Sequence, residues 1–220
     1  MPAKFLVIGN KAYSSWSLRP WMLLTHFQIP FEELVIPLDM PGTQAAILKY
    51  SPSGKVPFLQ DGDTKLWETL AIAEYIAEVH QEHAIWPAEK SARAHARVLA
   101  SEMHAGFMAL RAECSMNFRR APRPPASPLS VAARADVDRL EAAFADARAR
   151  FGKAGPFLFG DFCAADAMFA PVVNRLHAYA IAVTPETRAY MDAMMALPAW
   201  IAWAKDAADE PWSIAKYEAK

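Results

Sequence analysis

Cysteine is nearly missing from this sequence: only Cys114 and Cys163 occur, far apart. A disulfide scaffold is excluded on that count, and a reducing, cytoplasmic setting is expected. Net charge is nearly missing too. Twenty-three Lys and Arg oppose 24 Asp and Glu, leaving −1. Nothing here gives electrostatic grounds for binding nucleic acid or an anionic membrane surface. Long apolar runs are absent: none approaches the roughly 18 residues of a membrane-spanning helix. The run from Phe5 to Gly9 is too short for a secretory signal. No fixed-period repeat is visible. His80, His83, His95 and His104 lack acidic or thiol partners at ligand spacing. They are read as surface or internally satisfied, and no metal is expected.

Hydrophobic residues are plentiful, at 54% of 220 residues, enough for a substantial core. The first eighty residues mix two periodicities. Phe5–Ile8 (FLVI) predicts a buried strand, Leu18–Phe27 a helix and Phe31–Ile36 (FEELVI) a second strand, a spacing that suits a parallel βαβ unit. A short helix over Thr43–Tyr50 follows. Then VPFLQ and TKLW form strands around Asp61-Gly62-Asp63, a hairpin signal. ETLAIAEYIAEVH closes the half as a helix. From about Ser91 no strand is predicted. SARAHARVLASEMHAGFMALRAE reads as one long helix, ended by the prolines of RRAPRPPASP. Ser130 caps a helix to Phe151, and helices over 163–180, 185–196 and 198–208 complete the chain. The expected organisation is a small α/β domain at 1–82, a linker at 81–90 and an all-α domain at 91–220.

Three stretches carry candidate chemistry. The first is NKAYSSWSLRPW. Proline is tolerated only in a helix's first turn. With Ser15 as cap, Pro20 would be the fifth helical residue and would cost roughly 3 kcal/mol; with Ser17 as cap it costs little. Ser17 is therefore the expected cap. Ser14 and Ser15 are left before a helix N-terminus, where free N–H groups favour anions. They either solvate a turn or donate to a bound thiolate. The second is Lys55-Val56-Pro57-Phe58, where a proline opens a strand or turns a cis bond toward a ligand. The third is Trp67-Glu68-Thr69-Leu70. A hydroxyl at a helix start with a carboxylate beside it is either an ordinary cap or a site for the carboxylate and ammonium of an amino acid.

In order and spacing, these motifs resemble the cytosolic glutathione transferases over nearly the whole chain. The helical half agrees, including FGDFCAADAMFAPVV at Phe159–Val173. The resemblance implies a thioredoxin-like N-terminal domain (βαβαββα) before an all-helical domain. It also implies glutathione as co-substrate, no metal, and a homodimer. Val56 and a cis Pro57 would hold the cysteinyl part of glutathione, with Lys55 helping. Glu68 and Thr69 would hold the γ-glutamyl end. The serine run is similar to zeta- and theta-like enzymes and makes Ser14 the thiolate partner, with Ser15 second. Trp16 stands where zeta-class isomerases carry cysteine, and Arg175 is read as lying near the start of its helix. Cys163 takes the place of the usual Ser or Thr helix cap, with Asp166 reaching back as a structural residue.

The reaction implied is attack of the glutathione thiolate on a small apolar electrophile, with peroxidase activity a related capability. Two alternatives are a glutathione-dependent cis–trans isomerase and a non-catalytic binding module. Lowering a free thiol by about 2 pH units needs roughly 2.7 kcal/mol of thiolate stabilisation. One hydroxyl hydrogen bond at about 1.5–3 kcal/mol and a helix end at up to about 1 suffice. The first loop holds no cysteine, which argues against thiol transfer by mixed disulfide. The electrophile is expected between that loop and the long helix, near Trp16, Phe107, Met108 and Arg111, with Arg111 the candidate for an anionic group. Cys114 is expected as a small buried hydrophobe, Arg119, Arg120 and Arg123 as a solvated loop, and Trp200, Trp203 and Trp212 as packing for the last helices.

Overall fold

The computed structural model describes residues 4–152 and 155–218; residues 1–3 and 219–220, at the outer ends of the two expected domains, lie outside it. The first half is β1 (Lys4–Gly9), α1 (Ser15–His26), β2 (Phe31–Ile36), α2 (Thr43–Leu48), β3 (Phe58–Asp61), β4 (Thr64–Trp67) and α3 (Thr69–Val79). The strands form one sheet in the order β2-β1-β3-β4. β1 and β2 are parallel, joined through α1, and β3 pairs antiparallel with both β1 and β4. The predicted hairpin turns at Gly62, whose φ of +58° is the left-handed conformation glycine adopts without strain.

Seven helices follow among the described residues: α4 (Lys90–Ala105), α5 (Met108–Glu113), α6 (Val131–Phe151), α7 (Ala164–Ala178), α8 (Pro185–Met195), α9 (Pro198–Asp209) and α10 (Ala215–Glu218). α7 is the axis of this half. It is buried along nearly its whole length and packs on α1 and α4. Its start is held by Asp166, whose carboxylate accepts the N–H groups of Cys163 at 2.9 Å and Leu158 at 3.2 Å. α1 packs on α3 of its own half and on α7 and α9 of the other, so it joins the two halves.

Five expectations are corrected here. Ser17 does not cap α1. The helix starts at Ser15 behind Ser14, and Pro20 lies inside it. The proline's missing N–H frees the Trp16 carbonyl, which accepts from the Thr69 hydroxyl at 3.3 Å instead. Full burial of Leu18 and Met22, worth about 1.5–3 kcal/mol each, offsets the rest. The long helix breaks between α4 and α5. Gly106 is extended and Phe107 takes φ +58°, which drives its ring into the core at 6% exposure. Asp136 accepts the freed Leu110 N–H at 3.0 Å. Phe107, Met108 and Arg111 therefore share no helix face: Phe107 is buried and Met108 is 62% exposed. Arg175 lies in the last turn of α7, not near its start. Arg119 and Arg120 do not form a solvated loop. Arg119 donates to the carbonyls of Ala207, Glu210 and Trp212, and Arg120 lies over the Tyr179 ring. Trp200 and Trp203 are buried in the helical core, whereas Trp212 leaves the helices and, half-buried, lines a surface cleft with Pro37 and Met40.

Candidate active site

Two clefts meet at Trp16. One, of about 180 Å³, is lined by Trp16, Ser53, Lys55, Val56, Pro57, Glu68, Thr69 and His104. The other, of about 430 Å³, shares Trp16, Lys55 and Val56 with the first and includes Tyr13, Ser14, Ser15 and Tyr217. Residues separated by more than fifty positions in sequence are brought together because α1, β3 and α3 all begin at the clefts.

The Val56–Pro57 peptide is cis. β3 begins only at Phe58, so Val56 stands ahead of the ladder. Its backbone N–H and C=O take no partner among the described residues. Glu68 carries φ +85° and precedes α3, whose first turn receives no side-chain cap. A non-glycine residue held there is strained, and the strain places the carboxylate at the cleft beside an open helix N-terminus. α4, α6 and α8, by contrast, are capped by Glu89, Ser130 and Thr184.

The serines are distinguished by their partners. Ser17 Oγ accepts the Gly9 N–H at 3.0 Å and the Ser14 hydroxyl at 2.7 Å. Ser14 is 7% exposed, and its proton points inward. Ser15 stands in the first turn of α1, half-buried, and its hydroxyl has no partner among the described residues. The neighbouring Tyr13 hydroxyl is spent on Glu218; burial, then that carboxylate, push the phenol up.

All five glutathione candidates, Lys55, Val56, Pro57, Glu68 and Thr69, line the first cleft, and Ser14 and Ser15 line the second. Of the expected electrophile residues, Trp16 faces both clefts and Arg111 lies over its ring at 5.0 Å. Phe107, Met108 and Arg111 itself line neither cleft, so Arg111 reaches the site only through the Trp16 ring. Sequence reasoning missed His104, Ser53 and Tyr217. His104 packs its ring 5.0 Å from that of Trp16, with Nε2 at 3.8 Å from Glu68. Arg19 was also missed, although a lone cation between Leu18, Pro20 and Trp21 was a signal. Among the described residues no group of three or more His, Cys, Asp or Glu could hold a metal. No helix there is long and apolar enough to cross a membrane.

Residues 13–79 match the family model for the glutathione S-transferase N-terminal domain, and residues 130–206 the one for the C-terminal domain. A dichloromethane dehalogenase of Methylorubrum extorquens is 44% identical over 52 residues, 23% of this chain and 18% of that protein. A probable maleylacetoacetate isomerase of Caenorhabditis elegans is 30% identical over 97 residues, 44% of each. These matches thus span less than half the length of the curated relatives. A solved glutathione transferase homologue from Burkholderia GL BGR1, with bound glutathione, superposes with TM-score 0.74 at 28% identity, covering 94% of this chain and 100% of that one.

Proposed function

Because the chain belongs to the glutathione S-transferase superfamily, we propose that it is a glutathione transferase joining the glutathione thiolate to a small, largely apolar electrophile. Residues 1–82 supply the glutathione site and residues 91–220 complete the electrophile site. The γ-glutamyl end lies in the cleft of Glu68 and Thr69, with its carboxylate at the start of α3 and its ammonium at Glu68. The cysteinyl backbone pairs with the unspent N–H and C=O of Val56. That pairing directs the sulfur past Val56 toward the serines.

The observation that carries the reading is the unpartnered Ser15 hydroxyl at the start of α1, in a cleft that shares Trp16, Lys55 and Val56 with the Glu68 cleft. A thiolate there accepts one hydroxyl hydrogen bond and feels the helix's positive end. Together these offset the roughly 2.7 kcal/mol needed to lower its pKa by about 2 units. Ser14 donates to Ser17 and is the second choice. The sulfur attacks the electrophile's carbon, and the leaving group departs with the bonding pair. The thiol proton passes to solvent beforehand. We further propose a cytoplasmic homodimer, checked by light scattering.

Likeness to a probable maleylacetoacetate isomerase favours a second reading, glutathione-dependent cis–trans isomerisation. The deciding experiment supplies glutathione with 1-chloro-2,4-dinitrobenzene, and separately with a cis-dienoic acid. Conjugate formation with loss of thiol supports the transferase. Turnover of the dienoic acid without loss of thiol supports the isomerase. Glutathione binding with neither reaction makes the chain a binding module.

A further inference from the structure

The two clefts leave one group of charges unused. Arg19, Arg111 and Arg175 come from α1, α5 and α7 and lie near one another, the first two over the Trp16 ring. Arg19 lies 4.1 Å and Arg111 5.0 Å from the centroid of that ring. Arg175 is tied to Arg111 through the backbone, donating to the carbonyls of Arg111 and Cys114. Arg19 is 2% exposed and Arg175 6%, while Arg111 is half-buried and reaches the surface. Among the described residues no carboxylate pairs with any of the three.

Buried cations are normally paired, because removal from water is costly. Carbonyl oxygens supply partial relief here. Arg19 donates to Met168 at 2.9 Å and Ser15 at 2.8 Å. Arg111 makes only long bonds, to His104 at 3.4 Å and Gly106 at 3.3 Å, both through Nη1. Carbonyls carry no net charge, so three positive charges remain uncompensated. The cost shows in the groups themselves. Burial and the neighbouring Arg111 push Arg175 down to about 10, and burial and the other two arginines lower Arg19 strongly. Arg111 Nε and Nη2 take no partner among the described residues and form a planar fork that matches a carboxylate.

We propose that this arginine group is a recognition site for a carboxylate on the electrophile. Arg111 takes the carboxylate, Arg19 and Arg175 supply the field behind it, and the substrate's apolar part rests on Trp16. Arg19 also bonds the Ser15 carbonyl, so the site adjoins the proposed sulfur position. The inference rests on the transferase reading and narrows its substrate class to anionic electrophiles.

The test uses 4-chloro-3,5-dinitrobenzoate and its methyl ester, each rate divided by its uncatalysed rate with glutathione. In both, the C–S bond forms at the chlorinated carbon and chloride leaves with the electron pair. Wild type should favour the acid. Arg111→Gln should lower the acid-to-ester ratio of kcat/KM about tenfold or more, and Arg111→Lys should restore part of it. Calorimetry with 3,5-dinitrobenzoate, which has no leaving group, should show binding without glutathione and about tenfold weaker binding to Arg111→Gln. An unchanged ratio with unchanged binding overturns the proposal. So does a loss confined to glutathione affinity, which would assign Arg111 to a glutathione carboxylate. If neither halide is turned over, the transferase reading fails, and the calorimetry still decides the anion site.

Discussion

At the scale of single residues, the site depends on a few backbone conformations that few side chains tolerate. Glu68 is held at φ +85°, and its carboxylate is proposed to take an ammonium group. Glu68→Gln keeps the shape and removes the charge, so the glutathione dissociation constant should rise roughly tenfold, from loss of one charge-assisted bond; calorimetry measures it. Thr69 has two tasks. Its hydroxyl satisfies the Trp16 carbonyl that Pro20 leaves open, and its position opens α3. Thr69→Val should lower stability by about 1–2 kcal/mol in urea titration, because the carbonyl loses its partner. Much of this was legible in sequence. Val56-Pro57 and Glu68-Thr69 announce themselves because each is an awkward choice for plain secondary structure. His104, Ser53 and Tyr217 carry no such local conflict, and only the folded chain brings them to the cleft. Ser17 was misread because proline's cost was charged to the helix alone. A residue on another element relieves it.

At the scale of elements, α7 carries the clearest pH dependence. Asp166 is fully buried, and burial pushes its carboxyl up from 3.8 to about 6, against the two N–H bonds that lower it. Between those values the native state holds a proton that the unfolded chain has released. The group's contribution to stability is therefore full below about pH 4 and is lost as pH rises through about 6, by roughly 3 kcal/mol at most. Asp166→Asn should flatten this slope in urea unfolding measured from pH 4 to 7. Equal slopes in the two proteins would contradict the assignment. The start of α6 at Ser130, the hairpin and the strand–helix alternation were readable because periodicity and turn residues agree there. The break between α4 and α5 was not. Its sequence stays helix-compatible, and burial of Phe107 together with the Asp136–Leu110 bond decides it.

At the scale of the whole molecule, residues 206–218 close over the loop that leads into α1. Glu210 accepts the N–H groups of Lys11 at 2.6 Å and Ala12 at 3.0 Å. Lys11 reaches Asp206 and Glu33, joining α9 to β2. Arg119 gathers the carbonyls of Ala207, Glu210 and Trp212. Arg119→Ala should cost about 2–3 kcal/mol of stability and speed hydrogen exchange across residues 207–218 more than in the sheet. Uniform exchange would show that this closure is not held by Arg119. None of these long-range ties is visible in sequence, where Arg119 sits among prolines and reads as solvated.

The account turns on whether this protein ionises the glutathione sulfur, and on which hydroxyl does it. The decisive measurement is the pH titration of bound glutathione by thiolate ultraviolet absorbance, in the native protein and in the Ser15→Ala and Ser14→Ala variants. We expect ionisation about 2 pH units below the free thiol, reversed largely by Ser15→Ala and only weakly by Ser14→Ala. A bound thiol that titrates at its free value, or glutathione that does not bind, would contradict the account.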